Sequence, residues 1–277
     1  MTSTPARSFD TGVERYAAGR PSYPSDVLDL VEHLAGQPFA GARVADIGAG
    51  TGTATILLRD RGAEVVAVEF GSGMACAFHR RNPGMPVVRG DGNRLPLASA
   101  SFDFITYAQS WNWTDPAASL PEALRVLRPG GALAIWRNDL DESVPWIADQ
   151  RERLRQFFSQ QASSDQSGTL DRRRESWTTV QRSRLRRLLS RRSRRSAGEQ
   201  QLPAVSGTRF NDQHLTWSRE VTLKTHLDNL ASHSDFLRLG QEATQKYLAR
   251  EQGELVALRS DGMVEERYVT SVSVARR

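Results

Sequence analysis

Three acidic side chains, Asp46, Glu69 and Asp91, each close a short apolar run, the position from which a carboxylate can receive a ligand's polar groups. Asp46 lies in Val44-Ala45-Asp46-Ile47-Gly48-Ala49-Gly50-Thr51-Gly52, where three glycines in five positions demand a tight turn. Backbone without a Cβ can approach a ligand closely there, and a helix starting near Thr53 would add N–H groups and the positive end of its dipole. An anion or a carboxylate is the natural guest. The spacing is G-x-G-x-G, with Thr53 where a dinucleotide fingerprint wants its third glycine. Inside the turn Asp46 would repel a pyrophosphate, whereas it could accept from an ammonium group or orient loop amides. Glu69 stands where doubly wound folds place a carboxylate on ribose hydroxyls, each such charged hydrogen bond contributing roughly 1.5–3 kcal/mol. Asp91, in Gly90-Asp91-Gly92-Asn93, can accept from an exocyclic amine such as that of adenine. The three together indicate a zwitterionic nucleoside rather than a diphosphate.

The elements that must carry these groups follow from the hydrophobic pattern. Strands are expected at Arg43–Ile47, Glu64–Glu69, Val87–Val88, Phe102–Tyr107 and Ala132–Trp136. Helices are expected to begin near Thr53 and to cover Gly73–Arg81 and Pro116–Leu127. Strand and helix alternating at this spacing means parallel crossovers, with ligands at the carboxyl ends of the strands. Ahead of this, Pro24–Leu34 reads as an amphipathic helix, and Val144–Phe158 reads as another after it. Further on come an alternating stretch at Leu215–Leu223, an apolar helix near Leu227–Leu239, a charged helix at Glu242–Leu258 and a last strand at Glu265–Val274.

Val44–Gly52, Glu69, Gly90–Leu97, Ser101–Ile105 and Ala123–Gly131 resemble, in order and spacing, the class I S-adenosylmethionine-dependent methyltransferases. Arg15-Tyr16-Ala17-Ala18-Gly19-Arg20-Pro21-Ser22-Tyr23-Pro24 and Gln109-Ser110-Trp111-Asn112-Trp113 are similar to the small-molecule, trans-aconitate-type branch, although Asn112 replaces a residue often histidine there. The likeness implies an α/β fold: a doubly wound, seven-stranded, mostly parallel sheet with an N-terminal and a post-strand-five helical cap. Its organisation would be cap helices over 1–40, a cofactor-binding core over 41–140, a helical cap with an insert over 141–212, and completing strands and helices over 213–277. The implied cofactor is S-adenosylmethionine, leaving as S-adenosylhomocysteine. Asp46, Gly48 and Gly50 would hold its methionine portion, Glu69 its ribose, and Asp91 with Gly92 its adenine. Phe70 and Met74 would pack on the adenine ring, Gln109 would lie near the sulfonium, and Tyr16 with Arg20 would close over the carboxylate.

Substrate-facing candidates are Tyr23, Trp111, Trp113, Trp136, Arg137 and Trp146, with core packing as the competing reading of the tryptophans. Methyl transfer from a sulfonium needs alignment and exclusion of water more than a catalytic group. With Asn112 in place of an imidazole, no general base is assigned among the five histidines, and no metal is expected. The expected reaction is methylation of O or N in a small molecule, plausible in specialised metabolism. The alternatives are an RNA or protein methyltransferase and a cofactor-binding protein without turnover.

Composition bounds these readings. The 277 residues carry a net charge of +5, suit one α/β domain with an accessory lobe, and include one cysteine, Cys76, so no intrachain disulfide can form. Neither a signal peptide nor a membrane span is indicated, and the default expectation is a soluble cytoplasmic protein. Two of the 37 basic residues are lysines, Lys224 and Lys246, and 35 are arginines. Eleven of these fall between Arg172 and Arg195 against a single acid, Glu175, which would suit a phosphate track. Only Trp177 interleaves with them, so a solvated excursion is expected rather than a nucleic-acid surface.

Overall fold

The structure, a computed structural model, describes residues 19–164, 208–259 and 261–277. Tyr16 and the arginine-rich stretch from Arg172 to Arg195 lie outside the described residues. The chain divides into two units, one formed by residues 1–140 and 202–277 and the other by 141–201.

The first unit is built on a seven-stranded sheet. In chain order it contains α1 (Ser25–Ala35), β1 (Arg43–Ile47), α2 (Thr53–Asp60), β2 (Glu64–Glu69), α3 (Ser72–Arg81), β3 (Val87–Arg89) and β4 (Phe102–Ala108). A single 3₁₀ turn at Trp111–Trp113 leads to α4 (Pro116–Val126) and β5 (Leu127–Leu140). The second unit contributes α5 (Pro145–Ser164), along which Arg155 joins Glu152 and Glu142 at 2.6 and 3.1 Å. The first unit resumes with β6 (Asn211–Thr222), α6 (Leu223–Ala231), α7 (Ser234–Leu239), α8 (Gln241–Leu258) and β7 (Met263–Arg276). Strand order is β3-β2-β1-β4-β5-β7-β6. The first five strands run parallel, while β7 is antiparallel to both β5 and β6. This is the doubly wound, seven-stranded, mostly parallel architecture that the family resemblance implied, with its last two strands antiparallel.

Period-two alternation assigns each strand's side chains to one of two cores. Val44, Phe104, Ala132, Ala134, Trp136, Val272 and Val274 meet Val27, Val31 and Leu58 on one face. Ala45, Ile47, Ile105, Tyr107, Leu133 and Ile135 meet Leu120, Ala123 and Val126 on the other. The helices end where local chemistry stops them. Gly36, at φ +68°, donates its N–H to the Glu32 and His33 carbonyls and closes α1. Asp115 starts α4 by accepting from the Ala117 N–H at 3.0 Å, with Pro116 at the first helical position.

Two elements differ from expectation. β5 extends from Leu127 to Leu140, through Arg128-Pro129-Gly130-Gly131, because its distal half is held by the antiparallel ladder to β7 as far as Leu140 opposite Tyr268. The apolar helix expected near Leu227–Leu239 is two helices. Ser232 turns its hydroxyl back to the Asn229 carbonyl at 2.6 Å, and His233 adopts an extended conformation between α6 and α7.

Candidate functional site at the carboxyl edge of the parallel strands

The crevice lies where β1 and β4 release the chain. It is lined by Arg20, Pro21, Tyr23, Asp46, Gly48, Ala49, Thr51, Thr53, Ala54, Ala108 and Gln109, and encloses about 470 Å³ counted to its open mouth. Parallel order puts the strand ends, and so these loops, on one edge of the sheet. The glycine turn is fixed by its neighbours. Gly48 and Ala49 donate their N–H groups to the Val68 carbonyl at 2.7 and 3.2 Å, which ties the turn to β2. At Gly48 φ is +70°, and a Cβ would stand 2.5 Å from the Ser110 Cβ, so the position is closed to a side chain on two counts. The Ser110 hydroxyl in turn donates to the Ile47 carbonyl and pulls the loop after β4 against the turn.

Asp46 is 1% exposed. Its Oδ2 accepts from the Thr55 hydroxyl at 2.6 Å and its Oδ1 from the Thr106 hydroxyl at 3.0 Å, so it ties α2 and β4 to β1. These partners are hydroxyls; the loop amides of Gly48 and Ala49 bond to the Val68 carbonyl and that of Gly50 to Glu69. Burial pushes its carboxyl up to about 6; the threonine hydroxyls offset part of this, and the neighbouring negative charge of Glu69 adds to it. Glu69 is also buried, and its two oxygens accept the Gly50 and Gly71 N–H groups, each at 2.8 Å. It therefore anchors the turn after β1 to the start of α3.

Asp91 is exposed, and its Oδ1 accepts from both the backbone N–H and the side-chain amide of Asn93 at 2.9 Å. The Asn93 Oδ1 accepts from the Asp115 N–H at 2.7 Å, so the loop after β3 is joined to the start of α4. Gly92 lies against Thr114 and offers its carbonyl to the Tyr107 hydroxyl at 3.3 Å. Phe70 is half-buried, and Met74 is buried in the first turn of α3. Gln109 is held at φ +59°, in the left-handed region that costs a residue with a side chain, and donates from Nε2 to the Asn138 carbonyl at 2.9 Å. This positive φ falls at the end of β4, on the wall of the crevice.

The structure therefore brings Arg20, Tyr23, Asp46, Gly48 and Gln109 to one crevice, with Gly50 and Glu69 bonded along the same turn. Trp111 and Trp136 are elsewhere: each sits in one of the two cores, and neither is among the crevice-lining residues. Trp136 is 2% exposed and packs edge-on against Tyr23, with centroids 5.9 Å apart, so it backs the wall that Tyr23 forms. Trp111 packs edge-on against Tyr107 at 4.7 Å. An indole buries a large apolar area, and the core takes it. Trp113 is half-buried in the turn after β4, Arg137 pairs with Asp139 at 2.5 Å, and Trp146 belongs to α5 of the second unit. The sequence reading missed Thr55 and Thr106. Their signal was a hydroxyl in otherwise apolar stretches beside an acid that burial would leave without donors.

Residues 45–135 match the family described as a methyltransferase domain. An uncharacterised methyltransferase of Mycobacterium tuberculosis is 40% identical over 145 residues, which is 52% of this chain and 58% of the relative. A demethylmenaquinone methyltransferase of Beutenbergia cavernae is 39% identical over 141 residues, 47% of this chain and 56% of the relative. The chain thus spans little more than half the length of these relatives. A solved structure from Anaeromyxobacter dehalogenans, described as a type II methyltransferase, superposes with a TM-score of 0.58 at 20% identity, over 93% of this chain and 97% of the other, and shares the fold. Residues 45–135 are thus similar to a methyltransferase domain, and the sheet has the fold of the solved relative.

Proposed function

We propose that the protein binds S-adenosylmethionine in this crevice and transfers its methyl group to O or N of a small acceptor. The observation that carries the reading is the juxtaposition, on one edge of the sheet, of Arg20 with the Gly48–Thr53 turn and the two acids Asp46 and Glu69 that brace it. The donor set suits a zwitterion better than a diphosphate. A guanidinium can pair bidentately with a carboxylate, while two buried acids beside the turn oppose a pyrophosphate. A carboxylate at the end of the second strand of a doubly wound sheet is placed to accept from ribose hydroxyls, and Glu69 holds that place. Asp91 and Gly92, with Phe70 and Met74, would take the adenine, and Tyr16 would add to Arg20 at the carboxylate.

When bound, the sulfonium supplies an activated methyl group for in-line displacement. The chain's own part is to orient and to exclude water. Gln109, fixed on the Asn138 carbonyl, and Tyr23, backed by Trp136, would form the wall beside the reacting end. Trp113 and Arg137 are proposed acceptor contacts. No side chain is assigned as a base, and a carboxylate acceptor would need none. The exposed, free Cys76 suits a reducing compartment, which supports a cytoplasmic setting. Among the described residues no helix is long and apolar enough to cross a membrane. Relatives named demethylmenaquinone methyltransferase match about half of this chain or less, so acceptor class is left to experiment.

Calorimetry with S-adenosylhomocysteine tests the reading. Glu69→Ala and Arg20→Ala are each expected to weaken binding by about tenfold or more, the size of a lost charge-assisted hydrogen bond. Unchanged affinity in both would remove its basis. Formation of S-adenosylhomocysteine across a panel of small hydroxy, amino and carboxylic acids then tests turnover. Binding without turnover on any acceptor would leave a cofactor-binding protein.

A further inference from the structure

A second buried polar cluster stands on the last two strands, β6 and β7, and the proposed chemistry makes no use of it. The β6–β7 register sets Arg219 opposite Glu266 and Trp217 opposite Tyr268. Glu266 is fully buried, and its Oε2 accepts from Arg219 Nε at 2.6 Å and from the Tyr268 hydroxyl at 2.8 Å. Its Oε1 lies 2.7 Å from Nδ1 of the buried His226, on α6. Asn229, one helical turn on, donates from Nδ2 to the Tyr268 hydroxyl at 3.2 Å. An ionised carboxylate this deep in the protein is retained only with such partners.

The cluster reaches the crevice through one glycine. Arg219 Nη2 donates to the Gly19 carbonyl at 3.4 Å. The backbone of Gly19 is pressed against α6 so closely that a Cβ there would stand 2.5 Å from the Asn229 nitrogen and 2.7 Å from the Asp228 carbonyl carbon. The next residue is Arg20, and Arg20, Pro21 and Tyr23 form one side of the crevice. We infer that Glu266 is a positioning residue: through Arg219 and the α6 backbone it seats Gly19 and thereby sets Arg20 and Tyr23 over the cofactor crevice.

The inference rests on the proposed cofactor, so its test separates the two. Two probes are titrated calorimetrically: S-adenosylhomocysteine, which has the amino-acid carboxylate, and 5′-methylthioadenosine, which lacks it. Glu266→Gln and Arg219→Lys are each expected to weaken the first about tenfold and the second less than twofold, because only the first needs Arg20. In an Arg20→Ala background Glu266→Gln should cause no further loss, as expected for residues acting as one unit. Equal weakening of both probes, or additive losses with Arg20→Ala, would overturn the inference. Hydrogen exchange reads the seat with no ligand present: the Arg20 and Tyr23 amides should exchange faster in the Glu266→Gln protein through local opening, while those of β1 and β2 should change only by the factor that the loss of global stability in denaturation accounts for. If the wild type binds neither probe, the proposed function falls and the exchange result still decides the positioning role. Should Glu266→Gln fail to fold, Arg219→Lys carries the same comparisons.

Discussion

Asp46 and Glu266 are carboxylates buried to nearly the same degree in one unit, and their surroundings drive them in opposite directions. Around Asp46 there are two threonine hydroxyls and a second acid but no bonded cation, and burial pushes its carboxyl up to about 6. Burial alone would push Glu266 up as well. The bond and charge of His226, the charge of Arg219 and the Tyr268 hydroxyl outweigh it and hold the group down at about 2. Burial therefore does not decide the state of a carboxyl; the partners it is given do. Between β6 and β7 the partners make a fixed ion cluster suited to holding backbone. At the crevice the acid is held by two neutral hydroxyls beside a second acid.

The comparison breaks most visibly if Glu266 is neutralised. Glu266→Gln strands a buried imidazole and a guanidinium, and a loss of about 3–5 kcal/mol in chemical denaturation is expected. The sign of its pH dependence is set by a folded value below the ordinary 4.5. The stabilisation is complete above pH 4.5 and lost as pH falls toward 2, and the variant should lack that acid limb. Asp46→Asn should act in the reverse sense. The folded value of about 6 lies above the ordinary 3.8, so the group's contribution is greatest below pH 3.8 and is lost as pH rises through 6. The variant should gain up to about 3 kcal/mol above pH 6 and nothing below about pH 4, read from denaturation curves across that range.

Smaller changes sharpen the contrast at the crevice itself. Gly48→Ala forces a side chain into a left-handed backbone and onto Ser110, and should lower stability by about 1–3 kcal/mol together with a marked loss of S-adenosylhomocysteine binding. Arg137→Ala removes a half-exposed pair with Asp139 and should change stability by less than about 1 kcal/mol. A large fall in methyl transfer with unchanged melting would then identify Arg137 as an acceptor contact.

Much of this was legible in the residues themselves. β1 and β2 fall at Arg43–Ile47 and Glu64–Glu69, as read, because each is an apolar run bounded by a charged residue and a turn. Asp46, Gly48 and Gln109 could be referred to one crevice because parallel order fixes which strand ends are neighbours. Other features were hidden because they depend on distant pairings. Arg128-Pro129-Gly130-Gly131 lies where the ladder to β4 shifts register, Leu127 pairing with Phe102 and Ala132 with Phe104. Residue type alone cannot separate a tryptophan on a pocket wall from one in the core, and Trp111 and Trp136 are core residues by their packing. The Glu266 cluster was invisible, because Arg219 and Glu266 meet only through the register of two strands separated by three helices.

The central claim, that the edge of the sheet grips an adenosyl amino acid, is most directly tested by titrating the wild-type protein with S-adenosylhomocysteine and, separately, with a nicotinamide dinucleotide. The account predicts saturable binding of one equivalent of the first and no measurable heat from the second. Binding of the dinucleotide, with none of the adenosyl amino acid, would contradict it.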